Sequence, residues 1–151
     1  MSAALRVVEC LREVEHMPNK LVLIVGKAGA GKSKILRELA DVKGCRYLDC
    51  KFLITDDLID LVPKVRQQQA PGIMDEVLSG FSAETFLLDR IELFFRPVLC
   101  LEPLNLLKQL SRKYSLVVAW PGKYEDGKLI FQDWKLDSHT YDAKGIRIIE
   151  L

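Results

Sequence analysis

Short apolar runs alternate with amphipathic segments along most of the chain. Residues 20–25, KLVLIV, form a continuous run rich in β-branched residues, which is typical of a strand buried on both faces of a parallel sheet. Similar runs predict strands at residues 46–49, 85–89 and 115–120. Apolar residues at three- and four-residue steps predict helices at residues 3–16, 34–40, 55–61 and 104–114. This alternation of strands and helices indicates an α/β fold.

The segment between the second and third predicted strands interrupts the alternation. Pro63 is expected to kink or end the helix that precedes it. Residues 66–83 contain a glutamine run, Pro71-Gly72 and Ser79-Gly80, and this composition predicts a loop with a short helix.

Strands predominate from Ser115 onward. Two more are predicted at Lys128–Phe131 and Ile146–Ile149, with a turn at Asp126-Gly127. This strand-rich end is compatible with an antiparallel strand at one edge of the sheet. The whole pattern predicts one three-layer α/β domain over residues 1–151, with a largely parallel sheet of five strands and no helical lid.

The segment Gly26-Lys27-Ala28-Gly29-Ala30-Gly31-Lys32-Ser33 matches the P-loop pattern G-x-x-x-x-G-K-[ST] at every fixed position. It lies between a predicted strand and a predicted helix, which is the context that the pattern requires. Glycines let backbone N–H groups approach a phosphate at a helix start, where the helix dipole also favours an anion. Lys32 is the predicted cation for the β- and γ-phosphates, and the Ser33 hydroxyl is a predicted Mg²⁺ ligand. The sequence therefore predicts a P-loop NTPase domain that binds ATP with Mg²⁺.

An acidic residue ends the third predicted strand, Phe86-Leu87-Leu88-Asp89. Such a residue holds Mg²⁺ from the side opposite the P-loop, so Asp89 is the second predicted metal ligand and a predicted catalytic residue. In the additional-strand class of P-loop ATPases a Glu usually follows this Asp directly, whereas here Arg90 does. Glu92 is either the catalytic carboxylate or only a carboxylate in the first turn of a helix, and the sequence favours neither. ATP binding is thus better supported than hydrolysis, and any ATPase activity is expected to be slow or to depend on assembly.

The end of the fourth predicted strand lacks the polar residue that senses the nucleotide in many ATPases. Residues 117–121 are apolar, so this role would fall to Ser115 or to a later residue. Trp120 is expected to fill the core rather than to pack on a base. An arginine from a neighbouring subunit would complete the site on assembly. The candidates are Arg90, Arg96, Arg112 and Arg147, of which Arg96 and Arg112 are favoured.

Composition adds little to these motifs. The net charge of +1, with 28% charged residues, gives no argument for a nucleic acid or a membrane partner. No apolar run approaches the ~18 residues of a membrane span, and charged residues interrupt the amino-terminal segment, unlike a signal peptide. We therefore expect a cytoplasmic protein without membrane contact. The four cysteines are expected to be reduced thiols, not zinc ligands or disulfides.

The P-loop, the segment Leu87-Leu88-Asp89-Arg90-Ile91-Glu92 and Val117–Gly122 resemble the core of AAA-type ATPases. Over almost its full length the chain resembles the BrxF family, small P-loop proteins of type-three BREX (bacteriophage exclusion) systems. This resemblance also rests on Trp120-Pro121-Gly122 and the strand-rich end. It implies a bacterial phage-defence protein that works beside a DNA methyltransferase, a large ATPase and other proteins of the same island. About thirty residues follow the fourth strand, too few for the helical lid of AAA-type ATPases, which argues against translocation by this chain alone.

Three functions are compatible with these features. The favoured one is a nucleotide-dependent assembly or recruitment switch, with ATP at or near the interface of a homo-oligomer and other defence-system proteins as partners. The second is a small-molecule phosphotransferase similar to nucleotide kinases, for which residues 64–69 would make a poor lid. The third is an ATP-dependent accessory module that contacts DNA. That module would need a basic face, for which the candidates are Lys27, Lys34, Arg37 and Lys43.

Overall fold

The computed structural model describes residues 2–151 and contains two β-sheets. The strands are β1 (Leu21–Val25), β2 (Cys45–Asp49), β3 (Thr85–Asp89), β4 (Ser115–Trp120), β5 (Lys123–Glu125), β6 (Lys128–Gln132), β7 (Ser138–Asp142) and β8 (Arg147–Glu150). Five of them form a wholly parallel sheet in the order β2-β3-β4-β1-β8. The expected parallel sheet of five strands is therefore confirmed.

Helices pack on both faces of this sheet. They are α1 (Ala3–Val14), α2 (Lys32–Leu39), α3 (Asp56–Ile59), α4 (Pro63–Ser79) and α5 (Pro103–Leu110). Alternate residues of β1 show the two sides. Val22 and Ile24 pack with buried residues of α1 and α2, whereas Leu21, Leu23 and Val25 pack with those of α4 and α5. Burial on both faces explains why β1 is continuously apolar. No helix within residues 2–151 is both long enough and apolar enough to span a membrane.

Helix α4 corrects the expectation of a loop and a short helix at residues 66–83. Pro63 begins this helix, at a position where the missing N–H would have no partner inside the helix. A stripe at four-residue steps is buried against the core: Arg66, Ala70, Met74 and Leu78. Burial of this stripe outweighs the poor helix propensity of Pro71 and Gly72. The stripe was missed because its first member is an arginine.

The carboxyl-terminal strands also differ from expectation, because the edge of the large sheet is not antiparallel. Strand β8 lies parallel beside β1. The antiparallel strands form a separate sheet, β5-β6-β7, hereafter the small sheet. The predicted turn at Asp126-Gly127 joins β5 to β6, and both residues have positive φ (51° and 75°), as tight hairpins require.

The small sheet packs against the end of β4 and the 3₁₀ helix Ile91–Phe95. The Phe95 and Phe131 rings stack with centroids 4.0 Å apart. The Trp120 indole Nε1–H donates to the Ile130 carbonyl oxygen at 3.2 Å. Gly122 approaches the same carbonyl so closely that an added Cβ would lie 1.8 Å from its oxygen. A glycine is therefore required where β4 leads into the small sheet.

We expect Gly122→Ala to lower the free energy of unfolding by at least about 2 kcal/mol, because the new methyl group overlaps the Ile130 carbonyl. Urea unfolding measures the change. Gly72→Ala is the matched control, since it lies within α4 with no atom within 4 Å of the added Cβ. This control is expected to stabilise the protein by about 0.5–1 kcal/mol. Equal effects of the two substitutions would contradict the close approach.

Candidate functional site

A cleft of about 880 Å³ opens at the carboxyl edge of the parallel sheet, where ligands of α/β proteins usually bind. It gathers residues from the ends of β1, β3, β4 and β8. Eight residues predicted from the sequence line it: Gly26, Lys27, Ala28, Gly29, Lys32, Ser33, Asp89 and Glu92. The other two, Ala30 and Gly31, belong to the same glycine-rich loop, Gly26–Ser33, but do not line the cleft.

The glycine-rich loop needs glycine at particular positions. Gly29 and Gly31 have φ values of 85° and 99°, which favour glycine strongly. Gly31 directly precedes α2, so the N–H groups of the first turn of α2 lie at the cleft. At Gly26 the constraint is contact, because an added Cβ would lie 3.2 Å from the Leu151 Cβ and 3.1 Å from the Ala30 Cβ. The loop thus presents a helix start to the cleft.

Lys32 connects this loop to the end of β4. Its ammonium donates to the carbonyl oxygens of Gly26, at 2.8 Å, and Trp120, at 2.9 Å. One of its three donors is left for a ligand. Partial burial lowers the pKa of Lys32, while the negative charges of Glu92 and Asp89 act in the opposite direction. A bound anion would therefore meet a cation already held at the floor of the cleft.

Asp89 is only 6% exposed at the end of β3. One carboxylate oxygen accepts a hydrogen bond from the Tyr47 hydroxyl at 2.7 Å, and the other accepts one from the Arg90 backbone N–H at 3.0 Å. Burial and the hydrogen bond to Asp89 raise the pKa of Tyr47. Each carboxylate oxygen keeps a lone pair for a further partner. The sequence did not single out Tyr47, because only the pairing of β2 with β3 brings it to Asp89.

Arg90 turns the chain between the two predicted catalytic carboxylates. Its φ of 62° is unusual for a residue other than glycine. Its guanidinium lies 3.6 Å from the Asp49 carboxylate, at the end of β2. Glu92 then falls in the first turn of the 3₁₀ helix Ile91–Phe95 and also lines the cleft with Asp89. Glu92 thus lies in the first turn of a helix and also at the cleft, as its two alternative roles require. Its part in hydrolysis stays a prediction.

A metal ion in this cleft would need ligands from a bound molecule in addition to those from the protein. Within residues 2–151, no group of three or more His, Cys, Asp and Glu side chains is placed to hold a metal ion. Ser33 and Asp89 line the same cleft and offer one hydroxyl and one carboxylate. This small donor set fits Mg²⁺, which keeps several waters and takes other ligands from substrate phosphates.

Three of the four candidate arginines lie away from the cleft. Arg96 and Arg112 are exposed outside it, and Arg147 bonds to Glu13 of α1 at 2.9 Å. Arg90 alone among them lines the cleft. Ser115 begins β4, at the opposite edge of the sheet, and does not line the cleft.

The remaining wall of the cleft was not predicted from the sequence. Trp120 is fully buried in the core, as expected. Five other residues line the cleft from β5 and from the end of β8: Lys123, Tyr124, Glu125, Glu150 and Leu151. No sequence motif marks them, because packing of the small sheet and pairing of β8 with β1 bring them there.

Comparison of the chain with protein-family models, with curated proteins and with solved structures gave no match. The resemblance to the BrxF family therefore stays a prediction from the sequence. Function is accordingly inferred from the cleft and its residues.

Proposed function

We propose that this protein binds ATP with Mg²⁺ in the cleft at the carboxyl edge of its parallel sheet. The observation that carries the proposal is the meeting of three separate chain segments in one cleft. They are the glycine-rich loop with Lys32, the strand end with Asp89 and the 3₁₀ helix with Glu92. A chance match to the loop pattern would not account for a buried carboxylate facing the loop.

The order of the strands supports a P-loop NTPase. Strand β4 lies between β1, which precedes the glycine-rich loop, and β3, which ends in Asp89. The carboxyl ends of β1 and β3 therefore flank that of β4, and the loop and Asp89 line one cleft. Helix α2 starts directly at the loop, as phosphate binding requires.

Each residue receives a role from its position. The loop N–H groups and Lys32 bind the β- and γ-phosphates, and Ser33 and Asp89 hold Mg²⁺. When bound, Mg²⁺ neutralises part of the phosphate charge. Glu92 orients the attacking water. Hydrolysis is slow in one subunit, because the one arginine in the cleft among residues 2–151 is Arg90, whose guanidinium lies beside Asp49. An arginine from a second subunit would supply the missing charge.

We further propose that ATP acts as an assembly or recruitment switch in a bacterial phage-defence system. A phosphotransferase would need a mobile, arginine-rich lid, for which residues 64–69 are the candidate segment. These residues belong to helix α4, and Arg66 is buried in the core, which supports a switch instead. The small sheet instead lines part of the cleft through β5. Direct contact with DNA lacks a comparable observation.

Substitution of the predicted metal ligand tests the proposal. We expect Asp89→Asn to lower the affinity for ATP about tenfold in the presence of Mg²⁺. Without Mg²⁺ it should leave the affinity unchanged or raise it, because a negative charge is removed. Calorimetric titration with Mg²⁺ and with a chelator measures both values. Asp41→Asn is the control, since Asp41 is exposed, lies outside the cleft and belongs to none of the four ion pairs within residues 2–151. Failure of the unaltered protein to bind ATP would refute the proposal.

A further inference from the structure

Lys123 is a cation of the cleft that the proposed roles leave unused. It is the exposed first residue of β5 and lines the cleft together with Lys32, Asp89 and Glu92. None of the four ion pairs within residues 2–151 includes Lys123. Its ammonium is therefore available to a ligand.

The backbone of Lys123 is held in place. Its strand pairs with β6, where Lys123 lies opposite Ile130. The preceding residue, Gly122, is in close contact with the Ile130 carbonyl, to which the Trp120 indole also donates. The Trp120 carbonyl in turn accepts the Lys32 ammonium. Consecutive contacts thus link the loop lysine to the start of β5.

The direction of β4 decides which part of a nucleotide Lys123 would meet. In P-loop NTPases the loop lysine contacts the β- and γ-phosphates, so the end of β4, whose Trp120 carbonyl accepts the Lys32 ammonium, would lie near the terminal phosphates of a bound nucleotide. Strand β4 leads through Pro121 and Gly122 directly to Lys123. The free ammonium is therefore on the γ-phosphate side.

We propose that Lys123 binds the terminal phosphate of the nucleoside triphosphate and makes the site prefer triphosphate over diphosphate. This inference rests on the proposed function and adds the residue that distinguishes the two nucleotide states. Lys123 supplies from β5 the polar contact that the apolar end of β4 lacks. The carboxylates Glu125 and Glu150 line the same cleft. Without Lys123 the negative terminal phosphate would share the cleft with these two carboxylates, and less positive charge would offset their repulsion.

Separate titrations with ATP and ADP, at fixed Mg²⁺ and salt, test this assignment. We expect Lys123→Ala to weaken ATP binding about tenfold, the effect of one charged hydrogen bond. ADP affinity is expected to stay within about twofold, because ADP lacks the phosphate contacted. Lys123→Arg should restore most of the preference for ATP. Lys128→Ala is the control, since it removes an equal charge from the exposed neighbouring strand outside the cleft.

The outcomes separate the inference from the function on which it rests. Equal weakening of ATP and ADP by Lys123→Ala, or no weakening of either, would overturn the assignment of Lys123 while ATP binding stood. Loss of all nucleotide binding in the unaltered protein would instead refute the proposed function. Because Lys123 is exposed, Lys123→Ala should keep the unfolding curve of the unaltered protein. Arginine rescue guards against an indirect effect on the small sheet.

Discussion

Replacing Lys32 with alanine is expected to lower the affinity for Mg²⁺–ATP at least about a hundredfold, since the charged hydrogen bond from its one free donor and the attraction of its charge for the phosphates are both lost. The ammonium is already held over the cleft by the Gly26 and Trp120 carbonyls. Little side-chain ordering is therefore needed when phosphate binds. No other lysine in the cleft is held this way: Lys27 is exposed in the loop, and Lys123 begins β5.

Lys34→Ala is the matched control for this substitution. Lys34 is an exposed residue of the same helix, two positions further on, and it does not line the cleft. The Lys34→Ala substitution removes the same charge from the same helix, so it reports any long-range effect of charge on binding. We expect Lys34→Ala to change affinity less than about threefold. Comparable losses in the two variants, measured by calorimetry, would mean that Lys32 acts only through overall charge.

Lys32→Ala also tests the assembly switch. Light scattering of the unaltered protein is expected to show a larger mass with Mg²⁺–ATP than without nucleotide. Lys32→Ala should keep the nucleotide-free mass under both conditions. An unaltered protein that binds ATP without any change in mass, and transfers phosphate to a small acceptor, would favour the phosphotransferase instead.

The large sheet was predictable wherever burial alone determines the residues. The bounds of β3, Thr85–Asp89, and β4, Ser115–Trp120, agree with the prediction because both strands lie inside the sheet and are nearly all buried. Strands β5 and β7 were missed since their residues are polar and mostly exposed. Pairing with β6, rather than any hydrophobic pattern of their own, makes them strands.

The site was predictable where one segment carries its own chemistry. The glycine-rich loop and Asp89 are marked by local patterns, and the structure brings them to one cleft. Strand pairing brings Tyr47 to Asp89, and packing of the small sheet brings Lys123 to the cleft; a single sequence holds no signal for either. Ser115, one of the positions to which the sensor role would fall, starts its strand and lies outside the cleft. In a parallel sheet the carboxyl ends of the strands face the site, so a residue at the start of β4 lies at the far edge.

Arg66 shows how a polar residue can belong to the core. It is 7% exposed, and its guanidinium donates to five backbone carbonyl oxygens and to no carboxylate. The acceptors are Leu58, Ile59, Leu61, Val98 and Leu99, at 2.8–3.1 Å. They lie at or just after the ends of α3 and of the 3₁₀ helix Pro97–Leu99, where helices leave carbonyls without partners, although the Leu58 carbonyl also accepts from the Leu61 N–H. These charge-assisted hydrogen bonds stabilise the buried guanidinium.

We expect Arg66→Met to lower the free energy of unfolding by about 3 kcal/mol or more, because several buried carbonyls lose their donor. Methionine keeps much of the apolar volume, so the loss reports the hydrogen bonds. The free energy of unfolding of Arg66→Lys should lie between those of the unaltered protein and Arg66→Met, since an ammonium has three donors and cannot reproduce the planar fork of a guanidinium. Urea unfolding measures all variants, with the exposed Arg112→Met as control. If Arg66→Met destabilises the protein no more than Arg112→Met does, the guanidinium does not hold the two helix ends together. The hydrogen bonds from Arg66 would then be incidental to the packing that joins α3 and the 3₁₀ helix Pro97–Leu99 to α4.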